Sequence, residues 1–288
     1  LLEGLRRRLV ARTADEARVA LALVEAEQVR GSWVALAAHY ELGSVFEPTV
    51  PAFAGETLLR VWVFERGRRM AGAELDAWWR DALGRLTPQD AEAGILHLAP
   101  AWDAARHARA AGRVLDHIRA GDCYQVNLTF AQFGEAYGHP LALYARLRAA
   151  QPVAHGVLVR DGDEWVCSRS PELFVARTGQ RLTCRPMKGT APRAAVDASD
   201  ASDAADAAAA AALLASEKER AENLMIVDLI RNDLGRLTGP GGVRVERLWE
   251  LEAYPTVYQL TSTVTAEPVT AGLEGILRAL FPSGSVTG

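Results

Sequence analysis

Cysteine, long apolar runs and excess positive charge are all scarce in this sequence of 288 residues. Its three cysteines, Cys123, Cys167 and Cys184, are odd in number and far apart, which excludes a disulfide framework and a cysteine-based metal site and indicates a reducing compartment. No apolar segment approaches the roughly 20 residues that a membrane helix needs. The formal net charge of −4 excludes a basic field for a nucleic-acid backbone. We therefore expect a cytoplasmic protein whose partners are neither nucleic acid nor membrane.

Lysine and asparagine are also rare, although basic residues as a group are not. Of the 32 basic residues only two are lysines, and only three residues are asparagines. Such a bias favours the interpretation that the remaining lysines and asparagines stand where their chemistry cannot be replaced. Arginine cannot supply a neutral amine, whereas a lysine with a lowered pKa can act as nucleophile or base. All five rare residues lie between positions 127 and 232: Asn127, Lys188, Lys218, Asn223 and Asn232.

The remaining residues predict a globular protein of mixed α+β class. Hydrophobic residues make up 49% and charged residues 24%, a typical balance for such proteins, and the length allows two domains or one large domain. Apolar periodicity predicts helices over residues 5–29, 213–234 and 273–280, and apolar–polar alternation predicts a strand over residues 124–130. Residues 194–212 are almost entirely alanine, aspartate and serine, which predicts a mobile segment or a solvated lead into the next helix.

The first candidate pair of catalytic residues is Glu172 and Lys188, which lie on segments whose pattern suggests strand, turn and strand. That pattern could place them across a hairpin. A lysine kept neutral by burial or by neighbouring cations can act as nucleophile or base, and a desolvated glutamate can act as a general acid. Gly189 would let the backbone approach a ligand closely. An ordinary surface ion pair would explain the same spacing.

The second candidate pair is Glu219 and Glu222, which fall at positions i and i+3 of a predicted helix and therefore share one of its faces. Mg²⁺ is commonly held by one or two protein carboxylates, with water and substrate oxygens completing its shell. The pair therefore predicts a magnesium site. A solvated, charged helix face is the alternative interpretation.

Several segments between residues 105 and 288 resemble, in the same order, the motifs of the chorismate-utilising enzymes. An ordered set of motifs is far more specific than any single match. Residues 1–100 resemble that family only loosely, so we interpret them as the N-terminal part of the fold and residues 105–288 as the chorismate-binding catalytic core. The matching segments are GDCYQVNLT (121–129), SPELF (170–174), RPMKGTAPR (185–193), the whole of 216–236, EAYPTVYQL (252–260) and PSGSVTG (282–288).

The resemblance implies an α+β fold in which two large antiparallel sheets pack face to face, with helices outside and the active site between the sheets. At the position of Lys188, this sequence resembles the branch of the family that makes para-aminobenzoate for folate, whose members also carry lysine there. The anthranilate branch typically has alanine at this position. Gln259 aligns with a histidine of the anthranilate and salicylate relatives, which argues against a reaction that eliminates pyruvate. The family's C-terminal stretch, which supplies a second metal-binding glutamate, would follow Gly288, so we expect this sequence to be part of a longer protein.

Roles for the first candidate pair follow from the resemblance. It implies that Lys188 attacks carbon 2 of the chorismate ring while Glu172 protonates the departing 4-hydroxyl group. Ammonia would then add at carbon 4 and expel the lysine, which gives 4-amino-4-deoxychorismate. We expect the ammonia to come from a glutamine amidotransferase subunit.

The resemblance also implies that Glu222 binds Mg²⁺, with Glu219 close beside it, and that the metal holds the ring carboxylate. Gly189, Thr190 and Thr287 are expected to contact the substrate. Two alternatives stay open: an anthranilate-forming member of the family, and a catalytically silent subunit that keeps the fold and docks a partner.

Overall fold

The computed structural model describes residues 1–47, 49–51, 55–193 and 200–287. The prediction made for the alanine-rich residues 194–212 therefore lies partly outside the described residues, because residues 194–199 are not among them. The later part of that segment belongs to a helix that spans Asp200–Ala215.

Helices and strands alternate along the described parts of the chain. The helices are α1 (Ala14–Val29), α2 (Gly43–Phe46), α3 (Gly72–Gly84), α4 (Pro88–Ala91), α5 (Ala104–Ala120), α6 (Pro140–Ala150), α7 (Asp200–Ala215), α8 (Glu217–Gly235), α9 (Leu273–Leu280) and α10 (Gly284–Thr287). The strands are β1 (Leu2–Ala11), β2 (Trp33–Ala38), β3 (Leu59–Gly67), β4 (Gly94–Pro100), β5 (Gln132–Tyr137), β6 (His155–Asp161), β7 (Glu164–Ser170), β8 (Leu173–Thr178), β9 (Arg181–Arg185), β10 (Met187–Pro192), β11 (Val243–Ala253) and β12 (Val257–Ala266). None of these helices combines the length and the apolar character that crossing a membrane requires.

The strand pairings within the described ranges are all antiparallel. β1, β3 and β2 form a three-stranded sheet in that order. β10, β12, β9 and β8 follow one another in a five-stranded sheet, in which β11 also pairs with β12. β4 pairs with β5, and β6 with β7, in two-stranded ladders. Together with the helices, these sheets confirm the predicted α+β class.

The N-terminal segment corrects a sequence prediction. Periodicity predicts a single helix over residues 5–29, whereas the structure has strand β1 first and helix α1 only from Ala14. β1 pairs along its length with β3, a distant partner that local periodicity does not report. Thr13 caps the N-terminus of the helix: its hydroxyl accepts the Glu16 N–H while the Glu16 carboxylate accepts the Thr13 N–H.

The strand predicted over residues 124–130 is also wrong, because that segment has no regular secondary structure. Asn127 instead joins it to α10. Its backbone N–H donates to the Thr287 carbonyl at 3.0 Å, and its side-chain amide donates to the carbonyls of Ser285 (3.0 Å) and Val286 (2.8 Å). A composition that favours strands produces one only where a neighbouring strand is available to pair.

The helix predicted over residues 213–234 is divided into α7 and α8 at Ser216. Ser216 leaves the helical conformation (φ −67°, ψ 110°), and its hydroxyl accepts the Glu219 N–H at 3.3 Å, so it caps the N-terminus of α8. The cap fixes Glu219 in the first turn, where the helix dipole favours a carboxylate. The helix predicted over residues 273–280 is confirmed by α9.

Two clusters of buried apolar side chains form most of the core, and α9 contributes to both. The first cluster lies between α1 and the three-stranded sheet and includes Leu277. The second lies between α8 and the five-stranded sheet and includes Ile276, Ala279 and Leu280. Because α8 packs on β10, β11 and β12, its first turn lies beside the strand that carries Lys188.

Candidate active site

A pocket of about 400 Å³ opens between the first turns of α8 and the neighbouring strands β10 and β12. Six of the seven predicted site residues line this pocket, and the exception is Thr287. Met187 and Gln259 complete the lining. The predicted residues that the fold brings together here are Glu172, Lys188, Gly189, Thr190, Glu219 and Glu222.

The hairpin formed by β8 and β9 brings Glu172 close to Lys188. Leu173 lies opposite Arg185 in this hairpin, so Glu172 falls just beyond the paired residues, next to the start of β10. Glu172, Met187 and Lys188 line the same pocket. The predicted hairpin is present, and Glu172 and Lys188 lie just beyond its two ends rather than opposite each other within it.

Burial is the main influence on the acidity of Glu172. It raises the pKa of this carboxyl, because removal from water disfavours the charged form. Hydrogen bonds from the Ser285 hydroxyl and the Met187 N–H, together with the charge of Lys188, lower the pKa and oppose the rise. The net effect favours the protonated carboxyl, which is the form that a general acid needs.

A β-bulge directs Lys188 and Gly189 towards the pocket. Met187 pairs with Thr261 and Thr190 pairs with Gln259, so Lys188 and Gly189 together oppose a single residue of β12. Gly189 has φ +100°, a conformation that residues with a side chain rarely adopt. The bulge therefore depends on a glycine at this position.

The side-chain carboxylates of Glu219 and Glu222 in α8 both form ion pairs with the ammonium group of Lys218. The Lys218 ammonium lies 3.0 Å from Glu219 Oε1 and 3.3 Å from Glu222 Oε1. Hydrogen bonds to Glu219 and Glu222 raise the pKa of Lys218. The Glu219 side chain is 22% exposed and the Glu222 side chain 37%, so both remain accessible from the pocket.

The donor set of this carboxylate pair fits Mg²⁺. Glutamate oxygens are hard ligands, and Mg²⁺ usually keeps several water molecules beside one or two carboxylates. The Lys218 ammonium between Glu219 and Glu222 shows that the pair already accommodates one cation. Across the described ranges, no group of three or more histidine, cysteine, aspartate and glutamate residues is arranged to hold a metal, so water and substrate would have to complete the shell.

Thr287 does not line the pocket that holds the other predicted residues. It ends α10, which Asn127 holds in place through the Thr287 carbonyl. Residues of the same segment, including Ser285 and Val286, line an adjoining cavity of about 610 Å³. Glu172 lines both the pocket of Lys188 and this adjoining cavity, so it lies between Lys188 and the α10 segment that ends at Thr287.

Gln259 supplies a polar contact on the β12 side of the pocket. The Thr190 hydroxyl donates to Gln259 Oε1 at 3.0 Å, which joins β10 to β12 next to the bulge. The sequence comparison singled out Gln259 only as a departure from the anthranilate relatives. The structure places it against a predicted substrate-contacting residue.

Two buried residues next to the pocket were not assigned any role from the sequence. Asn223 and Ser262 are both fully buried and are hydrogen-bonded to each other. The rarity of asparagine was a signal that could have identified Asn223. Ser262 carries no comparable signal, because serine is common and its partner is distant in the sequence.

The chain belongs to the family of chorismate-binding enzymes, whose family model matches residues 7–288. The sequence is 41% identical over 174 residues to aminodeoxychorismate synthase component 1 from Klebsiella aerogenes, a match that covers 60% of this chain and 37% of that protein. It is 38% identical over 213 residues to anthranilate synthase component 1 from Streptomyces coelicolor, which covers 72% of this chain and 39% of that protein. The chain therefore spans less than two fifths of the length of these curated relatives.

The fold is shared with a protein of known structure. The crystal structure of anthranilate synthase component I from Streptococcus pneumoniae TIGR4 matches with a TM-score of 0.71 at 24% sequence identity. The match covers 90% of this chain and 62% of that chain. It confirms the predicted chorismate-utilising α+β fold.

Proposed function

We propose that the protein containing this chain aminates chorismate to 4-amino-4-deoxychorismate, with ammonia as the nitrogen donor. The proposal depends on one observation above all: Lys188, Glu172 and the Glu219–Glu222 pair line a single pocket. Lysine at position 188 favours this reaction over anthranilate formation, for which relatives typically carry alanine. The similarity to aminodeoxychorismate synthase component 1 supports the same reaction.

In the first step, Nζ of Lys188 forms a bond to carbon 2 of the ring, both ring double bonds shift by one position, and the bond between carbon 4 and its hydroxyl oxygen breaks. Glu172 donates its proton to that oxygen, which leaves as water. The raised pKa of Glu172 suits this role, because the carboxyl keeps its proton to a higher pH than a free glutamate does. The attacking lysine must be neutral, since only the free amine has an electron pair to donate.

In the second step, ammonia forms a bond to carbon 4, both double bonds shift back, and the bond between carbon 2 and Nζ breaks. Lys188 is thereby released as a free amine. The ionised Glu172 takes the extra proton from the new amino group and returns to its acid form. The sum of both steps converts chorismate and ammonia into 4-amino-4-deoxychorismate and water.

Glu222 and Glu219 are the residues that would hold Mg²⁺, which when bound supplies positive charge for the ring carboxylate. Their position at the start of α8 directs both side chains to the pocket that contains Lys188. Gly189 and Thr190 would contact the substrate from β10. Thr287 would contact it from the end of α10.

Ammonia is supplied, in this proposal, by a glutamine amidotransferase subunit in the cytoplasm. The designation "component 1" in the names of the relatives supports an enzyme of more than one component. The three cysteines, all of which the structure describes, are free thiols, which suits a reducing compartment.

Product analysis of the full-length protein tests the proposed reaction. The protein is incubated with chorismate, Mg²⁺ and an ammonium salt, and the products are separated and identified by mass. We expect 4-amino-4-deoxychorismate as the main product. Anthranilate or salicylate as the main product would contradict the proposal, and binding of chorismate without any turnover would favour the silent-subunit alternative.

Metal binding tests the role of the α8 carboxylates separately. Glu222→Gln keeps the size of the side chain but removes an anionic ligand, so Mn²⁺ affinity measured by calorimetry should fall by roughly 10-fold or more. Asp228→Asn, which makes the same change on an exposed residue further along α8, is the matched control and should leave the affinity unchanged. Equal affinities for Glu222→Gln and the unmutated protein would refute the ligand role.

A further inference from the structure

Strand β12 is flanked by bulges on both sides at the level of the pocket. On the β10 side, Lys188 and Gly189 oppose Leu260. On the β11 side, the register shift between Arg247 and Glu250 leaves two residues opposite Ser262. Bulges interrupt the hydrogen-bond ladder and redirect side chains, so the groups around residues 260–262 need other partners to hold them in place.

Asn223 of α8 supplies such partners. Its Nδ2 donates to the carbonyl oxygens of Lys188 and Leu260, each at 3.2 Å. Its Oδ1 accepts from the Ser262 hydroxyl at 2.6 Å. One fully buried amide therefore joins α8 to both strands at the β10 bulge.

The hydrogen-bond network fixes which way this amide faces. The Trp249 backbone N–H donates to Ser262 Oγ at 3.2 Å. A serine hydroxyl has a single proton, so Ser262 accepts from Trp249 and donates to Asn223. Oδ1 of Asn223 must then face Ser262, which leaves both Nδ2 protons for the carbonyls of Lys188 and Leu260.

We propose that Asn223 is the positioning residue that holds Lys188 in its reactive orientation and couples it to the carboxylates of α8. Fixing the Lys188 carbonyl fixes the direction in which its side chain leaves the bulge. Glu222 directly precedes Asn223 and Glu219 lies one turn earlier, so the same helix determines the placement of the amine and of both carboxylates. The inference about reactivity builds on the proposed function, whereas the positioning itself is a property of the free protein.

Asn223→Asp is the sharpest substitution with which to test this role. Aspartate has nearly the same shape and still accepts from Ser262, but it cannot donate to the carbonyls of Lys188 and Leu260. Asn232→Asp makes the same chemical change on the exposed side of the same helix and is the matched control. Ser262→Ala is a second, independent variant that leaves both Nδ2 donors in place but removes the group that orients the amide.

The experiment compares the reactivity of the only two lysines in this chain. Folded full-length protein is treated with a limiting amount of an acetylating reagent, and the rates at Lys188 and Lys218 are measured by peptide mass spectrometry. In Asn223→Asp we expect the ratio of the Lys188 rate to the Lys218 rate to change several-fold, and in Ser262→Ala to change less but in the same direction. Asn232→Asp should leave it unchanged. If Asn223→Asp does not fold, Ser262→Ala decides the question by the same measure.

A purely structural role gives a different result. Because the Lys218 side chain is already 74% exposed, partial unfolding raises mainly the Lys188 rate and moves the ratio towards that of urea-denatured protein in proportion to the unfolded fraction. An unchanged ratio, or a change for which the unfolded fraction measured by circular dichroism accounts, would overturn the proposal. Turnover gives a second readout: a displaced amine should lower kcat by about 10- to 100-fold while KM changes little. If the unmutated protein does not aminate chorismate, the proposed function is wrong, but the ratio of labelling rates still decides whether Asn223 positions Lys188.

Discussion

At the scale of single residues, the acidity of Glu172 follows from where the fold places it. The carboxyl lies between the pocket beside Lys188 and the larger cavity bordered by Ser285. Burial raises the pKa, and the polar contacts limit the rise. The position therefore provides a proton donor at pH values where an exposed glutamate would be ionised.

Replacing Glu172 by glutamine should change how stability depends on pH. The pKa of Glu172 is higher in the folded than in the unfolded chain, so its stabilising contribution is fully present below the ordinary value of 4.5 and is lost as pH rises through the raised pKa. Glutamine does not ionise, so Glu172→Gln does not lose this contribution as pH rises. Urea denaturation at a series of pH values should therefore show that the free energy of unfolding of the variant increases with pH relative to that of the unmutated protein. A difference that is constant with pH would contradict the raised pKa.

Replacing Lys188 by arginine distinguishes a nucleophile from a simple charge. Lys188→Arg keeps the positive charge, but the guanidinium does not lose its proton in proteins and cannot attack carbon 2. We expect product formation to fall almost to background. Retention of most of the activity, measured as initial rate with chorismate and ammonium, would show that only the charge matters.

Two further measurements on Lys188 complete this test. Intact-protein mass spectrometry of the unmutated enzyme with chorismate but without ammonia should reveal an adduct at Lys188. Lys188→Ala leaves room for ammonia or water to reach carbon 2 directly, so it should form small amounts of carbon-2 products that Lys188→Arg does not form.

At the scale of secondary-structure elements, the close approach of β10 to α8 depends on Gly189. A Cβ at this position would lie 3.1 Å from Leu260 Cδ1 and 3.3 Å from Glu219 Cβ, in addition to the strain of φ +100°. Both neighbours belong to elements that line the pocket, so a larger residue would push β10 away from the carboxylates.

Gly189→Ala should therefore impair both stability and metal binding. Backbone strain of this kind costs about 1–3 kcal/mol, and the crowding adds to it. Gly179→Ala is the matched control, because Gly179 has φ +61° but an added Cβ would meet no atom within 4 Å. The control therefore measures the cost of backbone strain without the cost of crowding. Chemical denaturation and Mn²⁺ calorimetry should show a larger stability loss for Gly189→Ala and weaker metal binding for that variant alone.

At the scale of the whole molecule, α9 connects the two parts of the core. Leu277 packs into the cluster formed by α1 and the three-stranded sheet, while Ile276 and Leu280 pack into the cluster beneath α8. The Glu25 carboxylate of α1 also accepts the Leu273 N–H at the start of α9. The N-terminal part of the chain therefore supports the elements that form the pocket.

Leu277→Ala should lower the free energy of unfolding by about 2–5 kcal/mol, because it removes buried methyl groups and leaves a cavity. Leu115→Ala, on the exposed side of α5, is the control and should change stability by no more than about 0.5 kcal/mol. Denaturation followed by circular dichroism measures both values. Equal, small effects would mean that α9 does not link the two clusters energetically.

Features that depend on neighbours along the chain could be predicted from the order of the residues. The amphipathic pattern of α9 and the shared helix face of Glu219 and Glu222 follow from a period of 3.6 residues. The hairpin of β8 and β9, which begins directly after Glu172, follows from the pattern of strand, turn and strand. Family resemblance then added the roles of Lys188 and Thr287, which spacing alone did not supply.

Features whose partners are distant in the sequence emerge only in the folded chain. β1 is a strand because β3 pairs with it. Residues 124–130 have no strand partner, and Asn127 instead donates to the Val286 carbonyl, 159 positions away in the sequence. The bulge at Lys188 is held by Asn223 across 35 positions, and Asn223 is oriented by Ser262 across 39. Local propensity does not encode such contacts, because each becomes favourable only when the fold has already brought both groups out of water and next to each other.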